Sequence, residues 1–444
     1  MLETVRRAFQ IEDIRKRLFY TFLMLVVVRF GSELPTPGVD PTYIQNFFAN
    51  QSGDAFNFFD AFTGGSFTQM SVFALSITPY ITSSIIMQLL TIAIPKLEEM
   101  QKEGEDGRKK IAEYTRYVTV ALAVIEALAM AIGFGNSGLL EGGATFTNVA
   151  VIVASFSAGS AFLMWLGERI TDKGVGNGIS MILLFNIVAG MPRDFTNLYN
   201  QFIKGASTVV NAIIAAVVIV VVIIAMVLFI IVLQDAERKI PVQYAKKVQG
   251  RKMIGGQSSH IPLKVNTAGV IPVIFASSFM QFPIVIASFF GVHPERAHVL
   301  PKILYLLDQS KWFNIKSWGE FKYTLGALIY IGLLIFFAYF YTSITFNPIE
   351  IANNMKKQGG FIPGIRPGKP TTEYLTKVLN NIIFIGATGL TIVAIVPLIF
   401  LGVFGAYVTF GGTSLIIVVG VVLETMKQIE SQMLVRHYKG FLND

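Results

Sequence analysis

Runs of apolar residues recur along the chain, separated by shorter polar segments. A helix of about 20 apolar residues crosses the hydrocarbon core of a bilayer. The runs predict ten membrane spans, at residues 18–36, 72–94, 117–135, 150–168, 177–191, 208–233, 268–290, 323–346, 374–401 and 412–430. The fifth run is short, and Arg29, Glu33 and two prolines interrupt the first. The expected fold class is therefore an all-α polytopic membrane protein with ten transmembrane helices.

The composition agrees with this pattern. Of the 444 residues, 53% are hydrophobic and only 14% are charged, whereas soluble globular proteins carry roughly 25% charged residues. The chain contains no cysteine, so neither a disulfide framework nor a thiolate metal site is expected. The basic amphipathic stretch at the start has no small-residue cleavage site after a short apolar core, and no cleavable signal peptide is expected.

Lysine and arginine are concentrated in alternate connections between the spans. The N-terminus and the segments after spans two, six and eight are basic, whereas residues 31–71 and 136–148 contain no Lys or Arg. Cytoplasmic loops of membrane proteins carry an excess of these residues, so both termini are predicted to be cytoplasmic. Arg193 and Lys204 are among the cations expected on the outer side. Much of the net charge of +8 is thus interpreted as a topology signal.

The span count divides the chain into two halves near residue 200. Because five is an odd number, the second half enters the membrane from the opposite side, and two repeated halves would be inverted. Many transporters are built from inverted repeats with the functional path between them. We predict an N-terminal half at residues 1–200 and a C-terminal half at residues 201–444, although the two show no convincing sequence repeat.

Ionisable residues are scarce inside the predicted spans. Ion-coupled carriers place such groups near the bilayer midplane, and here a neighbouring helix or an interface can satisfy each of Arg29, Glu126 and Glu424. A secondary transporter of a small solute, built on inverted repeats, is the alternative function. The chain has neither a GxxxxGK[ST] nor an HExxH motif. No catalysis, metal or cofactor is expected, and an intramembrane enzyme is the second alternative.

Uncharged polar residues are concentrated in the second and seventh spans. They are Thr78, Thr82, Ser83, Ser84, Gln88, Ser277, Ser278 and Gln281. Such residues commonly hold membrane helices together. Two such helices, one in each half, could also form a seam that opens to lipid, since hydroxyl groups can separate and rejoin without leaving a charge in lipid.

The segment FDAFTGGSFTQMS, residues 59–71, leads directly into the second span. It is too apolar for an ordinary loop in water and too short to cross a bilayer. Glycine costs about 1 kcal/mol relative to alanine in a helix, so Gly64 and Gly65 weaken any helix formed here. One interpretation is an outer loop that dips into the membrane interface.

Eight stretches of the chain together resemble one family. They are PTPG (35–38), FTGGSFTQMSVFALSITPYITSSIIMQLL, EGEDGRKKIAEYTRY, MWLGERITDKGVGNGIS, YAKKVQGR, QSSHIPLKVNTAGVIPVIFASS, FIPGIRPGKPT and FGGTSLIIVVGVVLE. Their joint order over nearly the whole chain resembles the SecY/Sec61-alpha family, the channel of the Sec protein translocase. The resemblance implies ten helices in two inverted halves around an hourglass pore. It also implies a channel in the bacterial cytoplasmic membrane that passes unfolded secretory polypeptides and releases hydrophobic segments sideways into lipid.

The resemblance assigns roles to residues at the pore. An aliphatic ring that closes around the polypeptide is implied at Ile77, Ile81, Ile179, Leu183, Ile274 and Ile417. The pairs Ile77/Ile81 and Ile179/Leu183 have i, i+4 spacing, which puts each pair on one helix face; without the resemblance they would read as lipid-facing or core aliphatics. A plug helix at about 56–70 would close the pore from outside, with Phe58, Phe59, Phe62, Gly64, Gly65 and Phe67.

The resemblance also implies a lateral gate and a cytoplasmic docking surface. Gate residues are Thr82, Ser83, Gln88, Ser277, Ser278 and Phe282, between spans two and three and spans seven and eight. The docking loops at 234–266 and 347–372 carry Arg366, Lys246, Lys247, Arg251, Lys252, Lys356 and Lys357. The partners implied are the SecA motor ATPase, the ribosome with its RNA, SecE and SecG subunits, signal sequences, nascent polypeptides and lipid.

Overall fold

The computed structural model describes most of the chain. The described residues are 2–39, 60, 63–136, 145–205, 208–244, 247–249, 252–254, 258–289, 299–309, 312–313, 324–404 and 413–440. Helices predominate, and a helix lies at each of the ten predicted spans. The predicted all-α polytopic fold class is thus confirmed.

The described elements of the first half include seven α-helices. They are α1 Leu2–Gln10, α2 Glu12–Ser32, α3 Thr78–Ala93, α4 Pro95–Lys102, α5 Glu105–Asn136, α6 Phe146–Lys173 and α7 Gly178–Leu198. A short π-helix, Tyr199–Lys204, continues α7. The start of α7 is set by Asn177, whose side chain accepts hydrogen bonds from the backbone N–H groups of Ile179 and Ser180, as expected of an N-cap.

The described elements of the second half include seven further α-helices and a small β-structure. The helices are α8 Val209–Asp235, α9 Ile271–Phe289, α10 Val299–Leu307, α11 Leu325–Thr345, α12 Pro348–Lys357, α13 Lys369–Phe404 and α14 Thr413–Gly440. Helix α8 is rich in Val and Ile, which favour strands in water. It is helical because a segment in hydrocarbon must satisfy its own backbone hydrogen bonds.

Length and hydropathy alone identify fewer spans than ten. Among the described residues, six helices are long and apolar enough to cross a membrane. A seventh is obtained if α3 and α4, which are bent by 101° at their junction, count as one span. The count of ten spans therefore stays a prediction, supported by the position of a helix at each predicted run.

The second span begins later than predicted. Residues 72–77 form turns, and α3 begins at Thr78 instead of residue 72. Ser76 has a positive φ of 50°, a left-handed conformation that a helix cannot contain. Pro79 lies in the first turn of α3, where its missing N–H has no helical partner to lose. Backbone geometry thus overrides the apolar pattern at this end.

Each half has its own hydrophobic core. In the first half, α5 packs against α3 and α6, and their buried side chains include Ala123, Ala127 and Phe156. In the second half, α11 packs against α9 and α13, around Trp312 and Tyr330. Contacts between the halves are made by α9 with α5, by α14 with α7 and α1, and by α8 with the π-helix that continues α7. The halves therefore meet at several places along the chain.

The two loops predicted to form the cytoplasmic docking surface are joined by a sheet. Strands β1 Glu237–Tyr244 and β4 Ser258–Lys264 pair antiparallel, and β5 Gly360–Phe361 from the second loop pairs with β1. Strands β2 Lys247–Gln249 and β3 Lys252–Ile254 pair antiparallel as a separate two-stranded sheet. The sequence predicted only basic loops, although Ile240 and Val242 of β1 show the alternate burial typical of a strand.

Candidate functional site

The six aliphatic residues predicted for the pore ring lie in one hydrophobic cluster, called here the central cluster. Ile77 precedes α3, and the backbone N–H of Ile81 donates to the carbonyl of Ile77 at 3.0 Å. The other four residues lie on three helices, Ile179 and Leu183 on α7, Ile274 on α9 and Ile417 on α14. The cluster therefore joins side chains from both halves of the chain.

The burial of these side chains decides against a purely lipid-facing arrangement. Ile77, Leu183 and Ile417 are 1%, 6% and 2% exposed. Ile81, Ile179 and Ile274 are partly buried and pack against the same cluster. The interpretation of these residues as lipid-facing aliphatics is wrong for the three that are buried.

A close approach of two helices positions the ring residue Ile179. A Cβ atom at Gly167 of α6 would collide with the side chain of Ile179, and one at Gly178 would collide with the carbonyl oxygen of Gly167. These two glycines let α6 and α7 touch through their backbones. The N-cap of α7 at Asn177 then fixes where the helix begins. Helix contact and cap together direct Ile179 towards the central cluster.

The segment predicted as a plug is described from residue 63 onwards, together with residue 60. Phe58, Phe59 and Phe62 lie outside the described residues. Residues 64–70 form consecutive turns, so the predicted helix is wrong for this part of the segment. Gly64 and Gly65 have φ values of 66° and 91°, a left-handed region that favours glycine. These glycines therefore reverse the chain instead of weakening a helix.

Apolar contacts hold the segment against the first half. Phe67 is 5% exposed and faces Phe134 of α5, with ring centroids 6.5 Å apart. Phe73 and Val72 pack into the central cluster. A β-bridge between Pro35 and Ser71 ties the segment to the chain that follows α2. The segment, called here the outer segment (residues 60 and 63–77), therefore packs against the first half and contributes Val72, Phe73 and Ile77 to the central cluster.

Charged groups hold the outer segment to two helices. The Asp60 carboxylate is 1% exposed, and its Oδ2 lies 2.8 Å from Nη2 of Arg193 on α7. Its Oδ1 accepts hydrogen bonds from the backbone N–H and hydroxyl of Thr68 at 3.1 and 2.9 Å. Arg29 on α2 donates to the carbonyl of Gly64 at 2.9 Å and pairs with Glu33. Sequence reasoning missed these roles, since Arg193 read only as a topology signal.

A neutral polar contact completes this surface. Asn186 of α7 is buried, and its Nδ2 donates to the hydroxyl oxygen of Ser76 at 3.2 Å. A Cβ atom at Gly64 would lie 3.0 Å from the Cα of Asn186, so only glycine fits there without a shift. An asparagine inside an apolar span was the available sequence signal for this contact, and it was not used.

Two of the predicted gate hydroxyls bond within their own half. Ser83 and Ser277 are both 0% exposed. Ser83 of α3 shares a hydrogen bond with Thr119 of α5, and Ser277 of α9 shares one with Tyr330 of α11 at 3.1 Å. These contacts join α3 to α5 and α9 to α11, in line with the helix-joining alternative.

The other predicted gate residues are placed differently. Thr82 is half-buried on α3, whereas Gln88 on α3 and Ser278 on α9 are exposed. Phe282 belongs to α9, but its side chain lies outside the described residues. Helix α9 packs against α5 across the boundary of the halves. The structure thus brings the helix pair α3/α5 into contact with the pair α9/α11, but it does not place all of the predicted gate residues together.

The described residues among those predicted for docking lie on a unit formed by β1, β4, β5 and α12, called here the cytoplasmic unit after its predicted side. Lys356 and Lys357 are exposed at the end of α12. Arg366 is exposed on a turn that begins near Ile362, a residue that is 3% exposed. The carbonyl oxygen of Arg366 accepts a hydrogen bond from the Thr371 hydroxyl at 2.8 Å. Of the other predicted docking cations, Lys247 and Lys252 have only their backbone described. Lys246 and Arg251 lie outside the described residues.

Sequence relatives cover the whole chain. A family model described as SecY matches residues 71–426. The protein translocase subunits SecY of Halalkalibacterium halodurans and Streptomyces coelicolor are each 44% identical, over 100% of both chains. The SecY subunit of Bacillus subtilis is 42% identical, again over 100% of both chains. This similarity extends over both halves and includes all six ring positions.

Solved structures share the fold at much lower identity. A protein-conducting channel matches with a TM-score of 0.66 at 17% identity, over 95% of this chain and 93% of that one. A SecY structure, described as having a plug domain that stabilises the closed state, matches with a TM-score of 0.63 at 18% identity, over 95% of this chain and 93% of that one. Canine Sec61 from a ribosome–channel complex matches with a TM-score of 0.61 at 16% identity, over 95% of this chain and 93% of that one. These likenesses show the fold.

Proposed function

Because the chain belongs to the SecY family and is a protein-conducting channel, we propose that the six ring residues of the central cluster seal its pore. The carrying observation is that all six side chains lie in one cluster although they come from both halves. Membership of this family excludes the alternative function, a secondary transporter of a small solute. The finer roles below are proposals for this chain.

Aliphatic side chains suit a seal that must both close and let a polypeptide pass. They offer no hydrogen bonds to the moving chain, so an unfolded polypeptide does not adhere to them. A narrow hydrophobic constriction can also lose its water and thereby stop ions. Side-chain rotation around varied residues then forms a gasket. The pore needs no chemical step for this function, and the channel has no catalysis of its own.

The proposed seal is tested by removing it from both halves. We expect Ile81→Gly with Ile274→Gly to raise the resting ion conductance in planar bilayers several-fold over the parent channel. The matched control is Ile213→Gly with Val221→Gly on α8, where the side chains are 59% and 58% exposed. Both pairs lose aliphatic volume and place two glycines inside helices, where glycine has a low helix propensity. Unchanged conductance in the ring variant, with normal insertion, would reject the assignment.

The outer segment is proposed as the plug of this channel. It is supported by the packing of Val72 and Phe73 into the central cluster and by its contacts to α2 and α7. A plug must leave when a polypeptide arrives, so it should be held by contacts that water can replace. Hydrogen bonds and one ion pair meet this requirement better than a continuous apolar interface would.

The lateral gate is proposed between the helix pair α3/α5 and the pair α9/α11. The hydroxyl contacts Ser83–Thr119 and Ser277–Tyr330 support two pairs that each move as a unit. Separation of α9 from α5 would then expose the pore to lipid. Hydrophobic signal sequences would leave through this opening because burial of apolar surface in lipid yields about 25 cal/mol per Å².

The cytoplasmic unit is proposed as the docking surface for the partners that drive transport. Exposed Lys356, Lys357 and Arg366 on a sheet-supported scaffold favour anionic partners, such as ribosomal RNA, through salt-sensitive phosphate contacts. The SecA motor ATPase is the second proposed partner, and SecE and SecG are the proposed companion subunits. The alternation of Lys and Arg supports cytoplasmic termini, in the bacterial cytoplasmic membrane.

A further inference from the structure

The structure points to a positioning role for the ion pair between Asp60 and Arg193. We propose that this pair is a latch that holds the outer segment on α7 and keeps the resting channel closed. The inference rests on the proposed plug function and names the residues that set the plug's position. Asp60 and Arg193 are positioning residues, because neither belongs to the central cluster.

The environment of Asp60 makes the pair necessary. The carboxylate is 1% exposed, whereas the Arg193 side chain is 52% exposed. A buried charge is tolerated only when it is paired and hydrogen-bonded. Arg193 supplies the opposite charge, and Thr68 supplies two hydrogen bonds from the outer segment itself. Asp60 therefore organises the turn through Thr68 and ties that turn to α7 through Arg193.

Buried hydroxyl groups in the segment and beside it oppose its closed position. Thr36, Ser66 and Ser71 each have a buried hydroxyl with no hydrogen-bond partner among the described residues. A buried polar group without a partner favours a state in which water reaches it. Closing the segment therefore needs a compensating interaction. The Asp60–Arg193 pair is the only ion pair between the outer segment and a helix in the described part of the chain.

The polar anchors also fix which half carries the segment. Arg193 lies on α7, Arg29 lies on α2 and Pro35 follows α2, and all three belong to the first half. Phe67 meets Phe134 of α5 in the same half. When the halves part at α9 and α5, the latch would keep the segment with the first half. Entry of a polypeptide would then have to break the pair, whose Arg193 side chain is 52% exposed.

The test uses the full chain purified with its companion subunits and reconstituted in planar bilayers. We expect Asp60→Asn and Arg193→Gln each to raise resting conductance several-fold, since each leaves the other group without its charged partner. The double variant should leak less than the sum of the single variants, as expected of an interacting pair. Arg193→Lys should restore most of the closure.

A matched control removes another cation expected on the same side. Lys204 is exposed in the π-helix and forms no ion pair among the described residues. Lys204→Gln should leave resting conductance unchanged. If it leaks as much as Arg193→Gln, charge loss alone explains the effect and the latch is rejected.

A chemical readout reports the position of the segment directly. The chain has no native cysteine, and Ser66 is 1% exposed, so Ser66→Cys places a single buried thiol in the segment. Asp60→Asn should speed its labelling by a membrane-impermeant reagent from the outer side. Equal labelling rates with and without Asp60→Asn would overturn the latch.

The ring variant separates failure of the latch from failure of the proposed function. If Ile81→Gly with Ile274→Gly leaks and the two latch variants do not, the latch is rejected while the seal stands. If none of these variants leaks and labelling of Ser66→Cys is unchanged, both the seal and the latch are rejected. A leak in the latch variants with faster labelling supports the proposal.

Discussion

The outer segment and the cytoplasmic unit are both connections between helices, but they are stabilised differently. The outer segment has turns and one β-bridge, and helices α2, α5 and α7 supply its contacts. The cytoplasmic unit has its own antiparallel ladder and a core that includes Ile240, Leu263 and Ile362. One region thus relies on contacts with α2, α5 and α7, whereas the other has a ladder of its own and shares its core with α13 through Leu375 and Ile382.

This difference fits the roles proposed for the two regions. The outer segment, as the proposed plug, is held by one ion pair, a few hydrogen bonds and the apolar contacts of Phe67 and Phe73, and its described backbone pairing is a single β-bridge. The cytoplasmic unit, as the proposed docking surface, has an antiparallel ladder that fixes its shape. The pairing of β5 with β1 joins both predicted docking loops in that surface. The proposed docking region therefore has more backbone pairing of its own than the proposed plug.

The largest expected effect on folding is in the cytoplasmic unit. Ile362→Ala removes a side chain that is 3% exposed from the core of the cytoplasmic unit. Such a change costs about 2–5 kcal/mol, so limited proteolysis should cut the hairpin at 237–264 faster. Resting conductance should stay at the parent level. Ile349→Ala on α12, where the side chain is 60% exposed, is the control. A leak in Ile362→Ala would show that the two regions are not independent.

An intermediate effect is expected in the dependent region. Gly64→Ala and Gly65→Ala both put a side chain on left-handed backbone, which costs roughly 1–2 kcal/mol. Only Gly64→Ala also brings a Cβ to 3.0 Å from Asn186, whereas nothing lies within 4 Å of a Cβ at Gly65. Conductance should therefore rise more in Gly64→Ala. Equal or greater leakage in Gly65→Ala would argue that contact with α7 does not hold the segment.

The smallest effect on folding is expected at the docking turn. Arg366 is exposed, and surface substitutions usually change stability by less than about 0.5 kcal/mol. Arg366→Glu should nevertheless block SecA-driven translocation into vesicles, because it reverses charge on the proposed docking surface. Lys377→Glu on α13 makes the same charge change at another exposed position and should be nearly neutral. Normal translocation by Arg366→Glu would reject its docking role.

The sequence predicted the membrane helices well and their ends less well. A run such as α8 is recognisable because every residue in it contributes to one local property, its hydropathy. The start of α3 was wrong by six residues, from 72 to 78, because the left-handed Ser76 interrupts an apolar run that hydropathy alone reads as continuous. The cytoplasmic sheet was also missed, although Ile240 and Val242 alternate with polar residues in β1.

The candidate site was predicted in part. Motif resemblance selected the six ring positions, and the structure brings all six into one cluster. The ion pair of the outer segment could not be predicted in the same way. Asp60 and Arg193 are 133 positions apart, and each has an ordinary role when read alone. Their pairing depends on the rotation of α7 and the path of the turn, which hydropathy leaves open.

The sequence by itself determined that this chain is helical and lies in a membrane. That follows from local composition, because a long apolar segment in lipid must bond its own backbone groups. Only the tertiary structure decided which side chains meet, as in the central cluster and in the Asp60–Arg193 pair. The physical reason is that many helix rotations bury apolar surface about equally well. Close packing at a few sites, such as Gly167 against Ile179, selects one of them.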